Sequence, residues 1–341
     1  MTPQAPVAPD LRHTLRRSGD ALAGASIGSV PILWNNVDVV ELRHGTDPMT
    51  LLDEIARTGY EGVQLGLGFP TGSVLRGALD VRGLRLAEVY VAIPATVDGP
   101  SVDAVAIGRE RLALLEDGDG EVLCVALDGS VERDPAAGRA SRPGTPVLTD
   151  AGWERLADVL HELGRATTAA GRRMAFHPHA GTFVETPEEV ERLAARTDPG
   201  LVPLCLDVGH YLVGGGDPVG ALRTYGERVT HLHLKDVSPD VLEGLHDGTI
   251  RGFEAAVRAR LFTELGAGAL DLDGVLAVLE ARDYRGWLMV EQDSSWGPPS
   301  ESAAIGRRVL AAALRRLGSP TGTSTDADAS EPTPAVSEVA R

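Results

Sequence analysis

The stretch that decides the fold is RMAFHPHAGTFVETPEEVERLAARTDPGLVPLCLD, residues 173–207. It begins and ends with short apolar runs that have the length and composition of buried strands. Between them, Thr186 followed by Pro187 is a typical helix start and opens an amphipathic segment. A strand, a helix and a second strand in this order indicate a βαβ unit, in which the two strands are parallel.

The same alternation continues outward in both directions, which predicts an α/β protein with a single (β/α)8 TIM barrel. A doubly wound open sheet is the competing arrangement, but no G-x-G-x-x-G follows the first strand, which weakens its dinucleotide-binding version. The predicted strands are 26–33, 62–66, 84–91, 121–127, 173–177, 203–207, 229–234 and 287–291. The predicted helices are 47–58, 73–79, 101–116, 150–170, 187–196, 218–225, 272–281 and 300–317, the fourth opened by Thr149 or Asp150.

Two connections in this pattern are unusually long, at 128–149 and 236–271. Both follow predicted strands, so in a barrel both lie on the face where the carboxyl ends of the strands meet. Connections of this length are often lids over a binding site. We therefore expect both to cover the mouth of the barrel.

The chain of 341 residues fits one barrel of roughly 250 residues with extensions. We expect the barrel to span 25–317, with an N-terminal extension at 1–24 and a tail at 318–341. The tail is rich in Ser, Thr, Pro, Asp and Glu and has few large apolar groups, which predicts disorder. Residues 1–24 show no clear periodicity of apolar residues and are also expected to be disordered.

The formal net charge is −17, which argues against binding to nucleic acid or to anionic lipid. No apolar run reaches the roughly 20 residues that span a membrane, and the first residues have no long apolar core of a signal peptide. A cytoplasmic protein is expected. Cys124 and Cys205 lie in apolar strand-like runs and are read as buried small hydrophobic residues, without a disulfide framework or a cysteine zinc site.

Polar side chains gather where the predicted strands five to eight end, and in a barrel these ends converge on one mouth. Because side chains alternate along a strand, His231, His233 and Lys235 share a face that points into the barrel, while the leucines between them face the helices. Imidazole and carboxylate ligands suit Mn²⁺, Co²⁺, Fe²⁺ or Zn²⁺ in a site with positions open for substrate. The strand-end residues are His177, His179, Asp207, His210, His231, His233, Lys235, Asp236, Glu291 and Asp293.

Each of these residues also has a structural interpretation. Asp207 could cap the next helix, His231 could be a hydrogen-bonded interior histidine, and Lys235 could extend along the surface. Asp236 is expected to be structural. The convergence of several strand ends, rather than any single residue, favours a site.

The chain resembles the xylose isomerase-like superfamily of sugar isomerases and epimerases. Within that superfamily it is most similar to the inosose dehydratases, which dehydrate 2-keto-myo-inositol. The resemblance covers roughly residues 27–317. It is carried by PILWNNVDVVEL (31–42), ARTGYEGVQLG (56–66), FP (69–70), PVLTDAGWERL (146–156), FHPHAGTFVET (176–186), LCLDVGHYLVGGGD (204–217), THLHLKDV (230–237), LFTELGAG (261–268) and GWLMVEQD (286–293).

The resemblance implies a divalent metal held by one residue from each of strands five to eight. Mn²⁺ or Co²⁺ is expected in preference to Zn²⁺, Fe²⁺ or Mg²⁺. Those residues are His177, Asp207, His233 and Glu291, with His179 as the alternative to His177. Many members carry a glutamate at the His177 position, whereas the dehydratase branch has a histidine-rich run there. The chain departs from the dehydratase pattern at Gln64, Gly68 and Ala267, where that pattern has a glutamate, a lysine and an acidic residue.

The expected substrate is a sugar or cyclitol with a hydroxyl next to its carbonyl, and a homo-oligomer is possible. A base removes a carbon-bound proton to give an enediolate; loss of a hydroxyl then gives dehydration, and return of the proton gives isomerisation or epimerisation. A sugar-binding barrel without chemistry is a further alternative, and the net charge weighs against cleavage of abasic DNA. Glu291, His210, Lys235 and Glu185 are the candidate bases, with His210 or Lys235 as acid, and Trp34, Asn36, Gln64, Tyr90, Trp153 and His179 are the candidate substrate contacts.

Overall fold

The computed structural model describes residues 21–319, which contain a closed barrel of eight parallel strands. The strands are β1 (Ser26–Ser29), β2 (Gly62–Gln64), β3 (Arg85–Ile93), β4 (Val122–Leu127), β5 (Arg173–Phe176), β6 (Leu204–Asp207), β7 (Val229–Leu234) and β8 (Trp287–Val290). Neighbours around the barrel follow the chain, and β1 closes it by pairing with both β2 and β8. The predicted TIM barrel is confirmed, and the doubly wound open sheet is excluded.

The helices surround this barrel, and the sequence signals for helix starts are confirmed where they were named. Thr149 accepts a hydrogen bond from the backbone N–H of Gly152, and Thr186 forms a capping box with Glu189. The helices are α1 (Pro48–Thr58), α2 (Gly72–Asp80), α3 (Ala104–Asp117), α4 (Asp150–Ala169), α5 (Pro187–Arg196), α6 (Val208–Val213), α7 (Pro218–Tyr225), α8 (Pro239–Asp247), α9 (Phe253–Arg258), α10 (Leu272–Ala281) and α11 (Pro299–Gly318).

The first strand is shorter than the sequence predicts. It ends at Ser29 instead of residue 33, because Pro31–Leu33 form a 3-10 turn. Pro31 has no N–H to donate to a neighbouring strand, so the chain leaves the barrel at this point. The second strand likewise ends at Gln64 instead of residue 66.

Packing inside the barrel separates an apolar lower layer from a polar mouth. Cys124 and Cys205 are free, fully buried members of the lower layer, as predicted. The Trp287 indole fills the same layer, and a Cβ on Gly62 would lie 2.4 Å from it, so only glycine fits there. On β7 the leucines pack into the main core between barrel and helices, while the histidines point inward, as the alternation predicts.

Both long connections fold over the mouth and are anchored there. The 128–149 connection is held by the fully buried Arg133, whose guanidinium lies 2.6 Å from the Glu189 carboxylate. The 236–271 connection has structure that the sequence analysis missed: it contains α8, α9 and two short antiparallel strands, Asp236–Val237 and Phe262–Thr263. The Asp236 carboxylate accepts N–H bonds from Gly266, Gly268 and Leu270, so its role there is structural, as expected.

The expected extensions fall almost entirely outside residues 21–319. Within the described part, residues 21–24 form a turn in which Ala21 and Leu22 are buried. No helix in this part of the chain combines the length and the apolar character needed to cross a membrane.

Candidate metal centre and active site

One side chain from each of the last four strand ends meets the others at the floor of the mouth. His177 follows β5, Asp207 ends β6, His233 lies on β7 and Glu291 follows β8. Their ligand atoms all lie within 4.8 Å of one another. These are the four residues that the family resemblance implied, and we call them the ligand quartet.

Atoms of the ligand quartet lack the hydrogen bonds that buried polar groups normally have. Asp207 Oδ2, His233 Nδ1 and Glu291 Oε2 are buried without a hydrogen-bond partner, although His233 Nδ1 lies only 2.6 Å from Glu291 Oε2. Asp207 Oδ2 lies 3.5 Å from His177 Nε2 and 3.8 Å from His233 Nδ1. Unpaired buried polar atoms are costly unless they coordinate something, so these residues fit a divalent cation that accepts nitrogen and oxygen ligands.

Asp207 caps the next helix, as one interpretation proposed, and it also belongs to the ligand quartet. Its Oδ1 accepts the backbone N–H of His210 at 2.8 Å and caps α6, while its Oδ2 faces the ligand quartet. Burial by itself would raise the pKa of Asp207, but the Lys235 ammonium and His177 hold it below its ordinary range. Burial would also raise the pKa of Glu291, but Lys235 and His233 outweigh burial and lower it. Both groups are therefore carboxylates at neutral pH, as metal ligands must be.

Lys235 is fully buried beside the ligand quartet rather than extended along the surface. Its Nζ lies 2.8 Å from Glu291 Oε1, 2.7 Å from Asp293 Oδ1 and 3.5 Å from Asp207 Oδ2. Burial would lower the pKa of Lys235, but these carboxylates raise it well above its ordinary value, so the side chain is an ammonium. The pKa of Asp293 is raised, because burial and Glu291 together outweigh Lys235.

A carboxylate that the sequence analysis missed lies just beneath the ligand quartet. Glu88 on β3 is completely buried, and its Oε2 lies 2.7 Å from His231 Nε2 and 3.1 Å from His233 Nε2. His231 is thus the hydrogen-bonded interior histidine that one interpretation proposed. The available signal was a charged residue within the apolar run RLAEVYVAI of β3, since glutamate is almost never fully buried unless it has a partner.

A cavity of about 880 Å³ opens above the ligand quartet. Gln64, Tyr90 and His179 line it, as the sequence analysis expected of substrate contacts. His179 Nδ1 donates to the carbonyl of Ala180 at 2.8 Å, which leaves Nε2 as an acceptor. Burial lowers the pKa of His179 to about 3, so its ring is neutral.

Three other expected substrate contacts do not line the cavity. Trp34 is buried and donates to Glu54 at 2.6 Å, and Trp153 packs beneath the guanidinium of Arg192. Asn36 is also fully buried: its amide donates to the carbonyl of Asp293, and its Oδ1 accepts two backbone N–H groups of its own turn. These side chains support the walls of the site, and the structure does not place them against a substrate.

Two of the candidate bases also lie outside the cavity lining. His210 is stacked on His179 with ring centroids 3.7 Å apart, and its Nε2 lies 3.1 Å from Lys235 Nζ. Glu185 accepts N–H bonds from Gly138 at 2.8 Å and Gly181 at 2.6 Å, which ties the 128–149 connection to the loop after β5. The two candidates that reach the cavity are Glu291 and Lys235.

Comparisons with known proteins agree with this architecture. Residues 52–313 match the family described as xylose isomerase-like TIM barrel. An inosose dehydratase from Geobacillus kaustophilus is 35% identical over 289 residues, covering 83% of this chain and 93% of that protein. Inosose dehydratase 2 from Bacillus cereus is 33% identical over 291 residues, covering 83% of this chain and 95% of that protein.

Solved structures show the same fold at lower identity. L-ribulose 3-epimerase superposes with a TM-score of 0.63 at 19% identity, covering 86% of this chain and 95% of that one. The probable 3-DHS dehydratase of petrobactin synthesis from Bacillus anthracis gives 0.60 at 12% identity, covering 84% and 98%. The family match and the identity to curated relatives extend over most of the chain, and the protein therefore belongs to the xylose isomerase-like TIM barrel family.

Proposed function

We propose that the protein is a divalent-metal-dependent lyase that removes water from a keto-cyclitol of the inosose type. The observation that carries this proposal is the ligand quartet, whose unpaired buried atoms lie beside the Lys235 ammonium at the floor of a cavity. Identity of 33–35% to proteins named inosose dehydratase supports the choice of substrate and reaction.

The charges around the cavity favour an uncharged substrate. The acidic residues Asp38, Asp128, Asp134 and Glu254 line its walls, whereas Arg111 and Lys235 are the arginine and the lysine among the lining residues. A phosphorylated sugar or a nucleic acid would be repelled by these acids, while hydroxyl groups can donate hydrogen bonds to them. A polyol such as a keto-cyclitol therefore suits the cavity better than a sugar phosphate.

The chain's own groups can supply the proton transfers of dehydration. A bound divalent ion would act as a Lewis acid toward the ketone. Glu291, which reaches the cavity, would accept the proton from the carbon next to the carbonyl, and Lys235 would donate a proton to the departing hydroxyl on the following carbon. The C–H and C–O bonds break, a C=C bond forms and water leaves; the resulting enol rearranges to a diketone.

The cavity walls would hold the ring in position for these steps. The neutral Nε2 of His179 would accept a hydrogen bond from a substrate hydroxyl, and the Gln64 amide could donate or accept one. Gln64 replaces the glutamate of the dehydratase pattern, so it would hold the same hydroxyl without a charge.

The experiment is an assay of the full chain with 2-keto-myo-inositol and Mn²⁺ or Co²⁺ in deuterated buffer, followed by ultraviolet absorbance and NMR. We expect a diketone product and a requirement for the metal, with about one divalent ion bound per chain. Deuterium exchange without loss of water would instead indicate isomerisation or epimerisation, and neither exchange nor product would indicate a binding protein. Full activity in the presence of a strong chelator would contradict metal dependence.

A further inference from the structure

We infer that Glu88 is a positioning residue that sets the tautomer of His233 and so turns Nδ1 of that ring into a metal ligand. The inference rests on the proposed metal-dependent function. It starts from one contact: Glu88 Oε2 lies 3.1 Å from His233 Nε2, on the side of the ring opposite the ligand quartet. Glu88 itself is completely buried and comes from β3, across the barrel from β7.

The chemistry of a carboxylate makes this contact directional. An ionised carboxylate oxygen can only accept a hydrogen bond, so His233 must donate its Nε2–H to Glu88. A metal-bound histidine is a neutral imidazole, so in the bound state the other nitrogen carries the lone pair. That nitrogen, His233 Nδ1, is the one that lies among Glu291 and Asp207 without a hydrogen-bond partner.

Glu88 is held as a carboxylate by the structure around it. Its Oε2 accepts from both His231 and His233, the first at 2.7 Å, within the interior of the barrel. Two N–H groups that converge on one oxygen stabilise the carboxylate form of that side chain. A histidine ligand that donates its second N–H to a carboxylate is a common arrangement in metal sites, where the carboxylate fixes the orientation of the ring and raises its basicity.

Without Glu88 the alternative tautomer becomes available. His233 Nδ1 lies 2.6 Å from Glu291 Oε2, so a proton on Nδ1 would be attracted to that carboxylate. A ring protonated at Nδ1 offers no lone pair to a metal at this position. Glu88 therefore selects between a ring that binds metal and a ring that pairs with Glu291.

His231 provides a matched control, because it lies on the same strand and donates to the same Glu88 oxygen. It belongs to the group formed with Glu88 and His233 but not to the ligand quartet. Replacing it removes one buried hydrogen bond but leaves the contact between Glu88 and His233. A merely structural role for Glu88 predicts equal effects of the two replacements, whereas a positioning role predicts different ones.

The test measures Co²⁺ affinity and the visible Co²⁺ spectrum of the full chain for wild type, Glu88→Met, Glu88→Gln and His231→Leu. We expect Glu88→Met to weaken Co²⁺ binding by about 10–100-fold, Glu88→Gln to recover part of the loss because it keeps an acceptor, and His231→Leu to stay within about threefold of wild type. Equal affinity of Glu88→Met and wild type would overturn the inference, as would equal weakening by His231→Leu.

A measurement on the wild-type protein covers the case in which a variant does not fold. In Zn²⁺-loaded protein with ¹⁵N-labelled histidine, long-range ¹H–¹⁵N NMR should show His233 protonated at Nε2 and bound to metal through Nδ1. Metal bound through Nε2 would overturn the inference and leave the proposed function intact. Failure of the wild-type chain to bind Co²⁺ or Zn²⁺ would refute the proposed metal dependence itself, and the inference with it.

Discussion

The charged groups at one end of the barrel are exposed to solvent, whereas those at the other end lie largely in the interior. At the amino ends of the strands, Arg85 and Arg173 bracket the Glu121 carboxylate at 2.7 and 3.1 Å, and about half of each arginine side chain is exposed. At the carboxyl ends, Asp207, Glu291 and Asp293 share the Lys235 ammonium; Glu291 is slightly exposed and the other three residues are buried. The charges at the first end are paired and also exposed to solvent, whereas the second end gathers three carboxyl groups around one ammonium in the interior.

This difference indicates that the charges at the amino ends of the strands concern stability, and that those at the carboxyl ends concern function. Exposed ion pairs contribute little to stability and are easily replaced. Carboxyl groups that lie close together in the interior are unfavourable as carboxylates unless positive charge balances them. The crowding of carboxyl groups at the mouth is therefore the physical signature of the proposed metal site.

The largest effect is expected for Asp207→Asn, because it removes one charge from the ligand quartet. The asparagine side-chain oxygen can still accept the N–H of His210, so the cap of α6 is retained. Metal retention and turnover should both be lost, while the metal-free protein should melt at or above the wild-type temperature. Metal analysis after dialysis, the turnover assay and thermal melts measure these results. Full metal occupancy in this variant would contradict the ligand assignment.

Lys235→Met is expected to change turnover and metal affinity in opposite directions. The proposed proton donor is lost, so kcat should fall by about 10²–10⁴-fold, the usual contribution of general acid–base catalysis. Metal affinity should rise, because a positive charge 3.5 Å from Asp207 Oδ2 and 2.8 Å from Glu291 Oε1 no longer competes for them. Turnover assays and metal titration of the same preparation measure the two effects. A parallel loss of both properties would show that Lys235 acts only by supporting the site.

Local rules of strand geometry predicted the gathering of polar residues that contains the ligand quartet, and the family resemblance implied its four members. Strand ends meet at one mouth, and alternate residues share a face, so His233 and Asp207 could be placed together without knowing the rest of the fold. The sequence did not indicate the role of Glu88, because its contacts cross the barrel. It lies 143 residues from His231 and 145 from His233 along the chain, and such contacts depend on strand tilt and register that a single strand does not encode.

Some of the expected substrate contacts lie outside the cavity lining for a related reason. Trp34 and Trp153 are aromatic residues near strand or helix ends, but the sequence does not say which side of the wall each ring faces. The structure turns both away from the cavity, whereas Gln64 and His179 do reach it. The anchoring of the 128–149 connection was equally hidden, since Arg133 and Glu189 are 56 residues apart.

Glu185→Gln is expected to have a moderate, pH-dependent effect away from the ligand quartet. Burial raises the pKa of Glu185 to about 7, against the opposing effects of the Gly181 N–H and Arg133. A group whose pKa is higher in the folded than in the unfolded chain adds stability at low pH and loses it as pH rises, here between about 4.5 and 7. Glutamine does not titrate, so the stability of the variant relative to wild type should improve across that window. Urea unfolding at pH values on both sides of the window measures it; a constant difference would contradict the prediction.

The smallest effect is expected at the opposite end of the barrel, for Arg85→Met. This change removes the 2.7 Å contact to Glu121 and the stacking over Trp287, but Arg173 still pairs with the same carboxylate. Because the pair is half-exposed, the free energy of unfolding should fall by no more than about 1 kcal/mol, and metal affinity should not change. A change in metal binding on Arg85→Met would mean that charges at the two ends are coupled through the barrel, so that stability and function would not be separated between them.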